Sequence, residues 1–180
     1  DKNVLHIWPR GEFMLIALPN IDKSFTCTLF MPNSGKNSFE TLISIDDVVS
    51  FFRKKFSDVI DLFYDFPDSY FDNPIGNLGS INTKNWNFRN QFCLIGDSAH
   101  AIVPFFGQGM NASFEDCSVL MQYYNKLSGN WSNTIDAFCL NRVIDTQAIS
   151  KMAIDNYIEM RNSVSKSSYI KKKKISDILY

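Results

Sequence analysis

The sequence predicts an α+β fold. Three observations carry that expectation. Strand-like runs separated by turn residues occupy the first thirty-one positions. A short apolar run and a glycine-rich loop then lead into a helical repeat between Phe92 and Tyr124. Finally, a pattern free of proline and glycine runs on from Asn133 at helical spacing. An antiparallel sheet, a strand-loop-helix and one long helix follow in that order.

Val4–Trp8, Phe13–Leu18 and Phe25–Met31 are the strand candidates, rich in Phe, Ile, Leu and Thr. Pro9-Arg10-Gly11 and Pro19-Asn20-Ile21-Asp22 separate them, so a three-stranded antiparallel meander is expected. Alternation of Thr26 and Thr28 with Phe25, Cys27 and Leu29 gives the third strand two unlike faces. A meander alone exposes an apolar face, and the next helix is expected to cover it. That helix, capped by Ser44 or Asp46, carries Val48, Val49, Phe52 and Phe56 and ends near Ser57. The aromatic stretch 58–73 reads as a helical turn followed by extended chain, and Gly79–Thr83 as a short strand.

Phe92 to Ile95 reads as a buried strand that stops at Gly96-Asp97. The loop after it contains Pro104, Gly107 and Gly109. From Met110 the apolar residues Phe114, Cys117, Met121 and Tyr124 define one helical face. Asn111 is the expected cap, with Glu115 and Asp116 in early turns, near the positive end of the helix dipole. The last helix runs through Ile135, Phe138, Ile149, Ala153 and Met160. Its length of about thirty residues exceeds the usual globular helix, so a break or bend is expected. The division into parts is 1–90, 91–130 and 131–180.

Composition narrows the function classes. The chain has 180 residues, of which 45% are hydrophobic, with a formal net charge of −1. That length can bury a sizeable core, and no basic face suggests nucleic acid. Cys27, Cys93, Cys117 and Cys139 are far apart in apolar company, as expected of reduced core cysteines. CxxC, HExxH and GxSxG patterns are absent, so no metal site is expected. No apolar run approaches the ~20 residues of a membrane helix. The chain begins at Asp1 and opens directly on strand-like sequence, which suggests a piece of a longer protein.

The chemistry concentrates in Gly96-Asp-Ser-Ala-His-Ala-Ile-Val-Pro-Phe-Phe-Gly-Gln-Gly-Met-Asn-Ala-Ser-Phe-Glu-Asp-Cys117. A carboxylate closing a strand can accept hydrogen bonds from polyol hydroxyls. A helix start with free N–H groups can stabilise a developing anion. Gly107-Gln-Gly109-Met-Asn-Ala112 matches GxGxxA, but eleven residues separate it from Ile95. A dinucleotide turn follows its strand immediately, so that reading is set aside. His100 is expected to fix the loop through hydrogen bonds rather than to do chemistry. His6 sits in a strand with no chemical partner.

This segment resembles the second flavin-contacting motif of FAD-dependent aromatic hydroxylases, and in detail the kynurenine 3-monooxygenase family. His6-Ile-Trp-Pro-Arg10, Phe25-Thr-Cys-Thr-Leu-Phe-Met31 and Asn156-Tyr-Ile-Glu-Met-Arg161 resemble further runs of that family, so the likeness spans about 5–162. It implies an incomplete flavin-hydroxylase fold: a substrate-domain sheet with its covering helix in 1–90, a flavin-contacting strand-loop-helix in 91–130 and a C-terminal helical region in 131–180. It implies FAD as cofactor and NADPH as co-substrate. The reaction implied is hydroxylation of L-kynurenine to 3-hydroxykynurenine with O2, through a flavin hydroperoxide.

By the same resemblance Asp97 takes the ribityl hydroxyls of FAD. Gly107 and Gly109 let the ring approach, and Met110 and Asn111 present backbone N–H groups to it. Pro104, Phe105 and Phe106 line the reactive face, where a dry apolar wall keeps water out. Asn156, Glu159 and Met160 border the substrate. Asn156 falls on the stripe Ile149, Ala153, Met160, where an unpaired buried amide would cost about 1–3 kcal/mol. The alternative for Asn156 is a buried amide satisfied by a neighbouring helix. Ser98 stands where the motif commonly has alanine. The family's Gly-rich adenosine-diphosphate unit is missing from this sequence, which leaves two rivals: a hydroxylase of another aromatic compound, and a non-catalytic interaction module. The family also implies anchorage at the cytosolic face of the mitochondrial outer membrane, through a segment not in this chain. Lys171–Lys174 is then either a solvated tail or a juxtamembrane run.

Overall fold

A computed structural model describes residues 1–163 and Tyr169; the basic run Lys171–Lys174 lies outside the described residues. The architecture is mixed α/β with two small antiparallel sheets. Packing divides the chain into two compact units, 1–76 with 159–180, and 77–158. The sequence divisions at 90 and 130 instead follow changes of residue pattern.

In the first unit β1 (His6–Pro9), β2 (Met14–Pro19) and β3 (Phe25–Phe30) form the expected meander, with Trp8 opposite Leu15 and Leu15 opposite Leu29. Helix α1 (Ile45–Lys55) provides the cover. Ser44 rather than Asp46 caps it: the Ser44 hydroxyl accepts from the Asp47 N–H at 3.2 Å, while the Asp47 carboxylate accepts from the Ser44 N–H at 3.1 Å. Asp46 and Asp47 in the first turn and Arg53, Lys54 and Lys55 in the last complement the helix dipole. Val48, Phe51, Phe52 and Phe56 then pack with Phe13 and Leu15 of the sheet region. Arg10 locks the end of α1 in place. Its Nε donates to the Lys55 carbonyl at 2.6 Å, its Nη2 bonds both Asp58 oxygens, and its guanidinium lies 5.2 Å from the Phe56 ring centre. That hydrogen bond with Arg10 holds the Asp58 carboxyl below its ordinary pKa.

Several local expectations need correction. The stretch 58–73 holds a 3-10 turn, Ile60–Leu62, and then a helix α2 (Asp68–Asp72) instead of extended chain, with Pro67, which has no N–H to satisfy, at its cap position. Gly79–Thr83 forms no strand. It is extended chain tied by two backbone bonds, Ile81 N–H to Ala101 and Thr83 N–H to Ala99, both 3.0 Å. Strand β3 shows little contrast between its faces, since Thr26 and Cys27 are both exposed. All four cysteines are free, but Cys139 alone is buried, while Cys27 and Cys117 are exposed.

In the second unit β4 (Asn87–Phe88) and β5 (Phe92–Cys93) make a short hairpin. Arg89 and Asn90 have φ of 54° and 52°, the two left-handed positions of a type I′ turn. Phe92 is 67% exposed, so the expected buried strand 92–95 is instead a two-residue surface ribbon. Among the described residues no strand beyond the hairpin pairs with it.

Next come α3 (Asp97–His100), α4 (Gly109–Lys126) and α5 (Trp131–Ile158). Helix α5 runs unbroken for 28 residues, and a five-residue π turn, Glu159–Ser163, follows it. Asn130 caps α5, its side chain accepting from the Asn133 N–H at 3.0 Å. The core here joins Trp86, Ala99, Ile135, Phe138 and Cys139, with Val119, Leu120 and Tyr123 of α4 packed against it. The predicted apolar face of α4 is thus reversed: Met110, Phe114 and Met121 are exposed, and the buried positions are Ala112 and Asp116.

Two outcomes are expected from this packing. Phe56→Ala should lower unfolding free energy by about 3–5 kcal/mol in a denaturant titration, since a fully buried ring leaves a cavity. Leu140→Ala, at a 67% exposed position, should change it by about 0.5 kcal/mol or less.

A third outcome concerns pH. Burial, with smaller contributions from Cys93 and Asp136, pushes the Cys139 thiol from 9.0 up to about 12. Between those values the unfolded chain has lost a proton that the folded chain retains. Stability therefore falls as pH rises above about 9, by at most about 1.4 kcal/mol per pH unit from this thiol. Denaturant midpoints at pH 7 and pH 10 should diverge more in wild type than in Cys139→Ala.

Candidate functional site

The site is built around a carboxylate that the motif reading did not single out. Asp116, on the second turn of α4, is wholly buried. Its Oδ2 accepts from the Gly96 N–H at 2.7 Å and from His100 Nε2 at 2.6 Å, and its Oδ1 accepts from Arg142 Nε at 2.8 Å. A carboxylate only accepts, so His100 Nε2 is the donor here, while Nδ1 is buried with no hydrogen-bond partner among the described residues. Arg142 on α5 also donates from Nη2 to the Glu115 carboxylate at 2.7 Å and to the Ala112 carbonyl at 3.2 Å. Burial would lower the Arg142 pKa, but hydrogen bonds to Asp116 and Glu115 outweigh it and hold the guanidinium firmly charged. The expected loop-fixing role of His100 is seen directly. Glu115 and Asp116 serve Arg142 and the loop, not the start of the helix, because no acidic residue lies in the first turn of α4.

Gly96 makes the turn possible. Its φ of 60° with ψ of −145° suits glycine, and a Cβ there would sit 3.2 Å from the Ser113 hydroxyl of α4. The Gly96 carbonyl accepts from the Ala99 and His100 N–H groups at 2.9 and 3.0 Å, closing the single turn of α3. Asp97, the first residue of that turn, is exposed, and its carboxylate accepts no hydrogen bond among the described residues. Ser98, at the position commonly alanine, donates its hydroxyl to the Ile95 carbonyl at 2.7 Å, so the extra oxygen is satisfied locally.

The loop 101–108 delivers the start of α4. Pro104–Phe106 is a 3-10 turn closed by Gly107 in the left-handed region, φ 64°. Gln108, not Asn111, occupies the cap position, and no side chain caps the helix. Asn111 instead donates its amide to the Gln108 side chain at 3.1 Å. The first N–H groups of α4, including those of Met110 and Asn111, are therefore left to whatever lies before the helix. Met110 is 69% exposed and Phe106 40%.

Asn156 reaches this loop. Its Nδ2 donates to the Phe105 carbonyl at 2.6 Å, and Tyr157 stacks on the Phe105 ring at 4.2 Å. The amide that sequence placed against a substrate thus holds the 3-10 turn in the structure. Glu159 and Met160 follow in the π turn and belong to the other unit, with Glu159 accepting from the Tyr169 hydroxyl. Asp116 and Arg142 escaped the sequence reading because a buried ion pair has no spacing signature; an arginine on an otherwise apolar helical stripe was the available clue.

The residues present suit a flavin: an unspent acceptor at Asp97 and uncapped donors at the start of α4. Residues 75–129 match the family model described as FAD binding domain. The kynurenine 3-monooxygenase of Flavobacterium johnsoniae is 43% identical over 99% of this chain and 40% of its own length. Those of Cytophaga hutchinsonii and Dictyostelium discoideum are 46% and 43% identical, over 100% and 99% of this chain and 40% and 42% of theirs. The crystal structure of tetracycline destructase Tet(55) matches 97% of this chain and 46% of its own, with TM-score 0.59 at 12% identity, a likeness of fold alone. The resemblance noted in the sequence is borne out: over essentially its whole length the chain is similar to kynurenine 3-monooxygenases, and it spans about 40% of the length of those relatives.

Proposed function

We propose that this chain supplies part of the FAD site of a flavoprotein monooxygenase that hydroxylates L-kynurenine to 3-hydroxykynurenine with NADPH and O2. One observation supports it above the others. An exposed, unspent Asp97 carboxylate is carried on a turn that Asp116 locks to α4, whose own start has no side-chain cap. An acceptor beside an uncapped helix start suits a polyol attached to an electron-rich ring. Asp97 accepts from the ribityl hydroxyls; the Met110 and Asn111 N–H groups favour negative charge on the ring. Gly107 and Gly109 keep the backbone approachable at the ring. Bound FAD supplies the two-electron and oxygen chemistry. Pro104, Phe105 and Phe106 make the wall that excludes water from the reactive face.

Asn156 serves both the loop and the substrate on this reading. One amide N–H is spent on Phe105; the second N–H and Oδ1 suit an amino-acid head group. Glu159 and Met160, next in the chain, belong to the same substrate-contacting run. The rest of the fold is a flavin-hydroxylase fold of which this chain is a portion.

Two measurements on a protein of the relatives' full length carrying this segment check the reading. Asp97→Ala is expected to weaken FAD binding by about 1.5–3 kcal/mol, read from flavin fluorescence. Wild-type affinity there counts against the ribityl role. Asn156→Ala is expected to reduce kcat/KM for L-kynurenine by about tenfold to a hundredfold, with flavin content little changed. Unchanged kynurenine kinetics with a lowered melting temperature would leave Asn156 as a loop clamp only.

A further inference from the structure

We propose that Asp116 is a positioning residue for the FAD site: through Gly96 and His100 it fixes the short helix that presents Asp97 against α4, and through Arg142 it ties both to α5. This inference rests on the reading of Asp97 given above. A single oxygen, Oδ2, grips both ends of the segment that carries Asp97. It takes the Gly96 N–H at 2.7 Å just before the segment and the His100 imidazole at 2.6 Å at its end. The four residues of α3 form only one turn and have no side-chain cap, so they lack the internal bonds that would hold a longer helix. Asp116 supplies what the turn cannot. The other oxygen ties the assembly to α5 through Arg142, and Arg142 returns to α4 at Ala112 and Glu115. Four points are therefore referenced to one carboxylate: both ends of α3, the second turn of α4, and α5. Ser113 against Gly96, where a Cβ would meet its hydroxyl at 3.2 Å, sets the remaining direction. A shift of Asp116 moves Asp97 relative to the Met110 and Asn111 N–H groups, and a site that holds a polyol and a ring together needs that spacing fixed.

The test is a double-mutant cycle on FAD affinity, in the holoprotein at the length of its relatives. Asp116→Asn keeps the shape and exchanges one acceptor oxygen for an NH2 group. It is expected to weaken FAD binding roughly tenfold, and Asp97→Ala about tenfold to a hundredfold, with the double variant no weaker than the weaker single variant. Non-additivity of that kind is what positioning requires, because both changes act through the same hydroxyl contact. A purely structural Asp116 gives independent losses, and a double variant weakened by the product of the two single losses would overturn the proposal. So would wild-type FAD affinity in a folded Asp116→Asn.

If Asp116→Asn does not fold, His100→Ala and His100→Gln carry the test. Alanine removes one of the donors and is expected to weaken FAD binding only when Asp97 is present. Glutamine returns an N–H toward Asp116 and is expected to recover most of the affinity lost in His100→Ala. Equal affinities in His100→Ala and wild type overturn the proposal. Wild-type affinity in Asp97→Ala overturns the Asp97 reading and the proposal together, whereas a loss in Asp97→Ala with none in the Asp116 and His100 variants overturns the proposal alone.

Discussion

The second unit depends on one buried negative charge being fully neutralised. Asp116 has no exposed surface, and an ionised carboxylate taken from water without partners is among the most costly things a fold can contain. Three donors from two segments, the Gly96–His100 turn and α5, meet it at 2.6, 2.7 and 2.8 Å. Because the donors come from two elements other than the one that carries Asp116, the charge is satisfied only when α3, α4 and α5 are assembled together. Removing one partner of such a buried pair costs about 3–5 kcal/mol. Replacing the whole set by apolar residues can be neutral or stabilising, so stability alone does not account for it. What an apolar replacement would not reproduce is direction. Hydrogen bonds fix where the Gly96 N–H and the His100 ring lie, and van der Waals packing fixes them less sharply.

The aromatic core of the first unit works by the opposite means. Phe13, Phe51, Phe52 and Phe56 pack ring against ring, with Phe13 and Phe51 centred 5.2 Å apart and Phe52 and Phe56 5.3 Å apart. Burial of this kind is strong and non-directional. Direction enters only at the edge, where Arg10 fixes the end of α1 through Lys55 and Asp58. The His6-Ile-Trp-Pro-Arg10 run noticed in the sequence thus has a local structural reason: it ends in the residue that fastens the helix to the sheet.

How much of this was legible in the sequence follows from the range of each interaction. The meander and α1 were readable because alternation, turn residues and a Ser44–Asp47 capping box are local signals. The loop that carries Asp97 and Gly107 was readable from glycine placement. The burial of α4 was misread: Met110, Phe114 and Met121 form a regular stripe yet are exposed. Periodicity reports which residues favour burial, not whether the described residues supply a cover, and the α5-facing side is organised by Asp116 instead. The same limit applies to Phe92–Ile95, apolar but on a two-residue ribbon. Asn156 was located correctly on its stripe, but its bond to Phe105 spans 51 positions, and no local pattern reports such a partner.

The charge balance around Asp116 also bears on what Asp97 can hold. Arg142 is spent on Asp116 and Glu115, with Asp145 at 3.6 Å as a third carboxylate. Among the described residues no cation pairs with Asp97. An unpaired, exposed carboxylate repels phosphate and other anions, whereas it accepts readily from neutral hydroxyls. The uncapped start of α4 has the reverse preference, since its N–H groups and dipole favour negative charge. Gly96 packs against Ser113 on α4, so the two preferences arise on elements in direct contact. A ligand that satisfies both must offer hydroxyl donors along one part and electron-rich acceptors along another. A free phosphate meets only the second requirement and a simple sugar only the first; a ribityl chain joined to a ring that accepts electrons meets both.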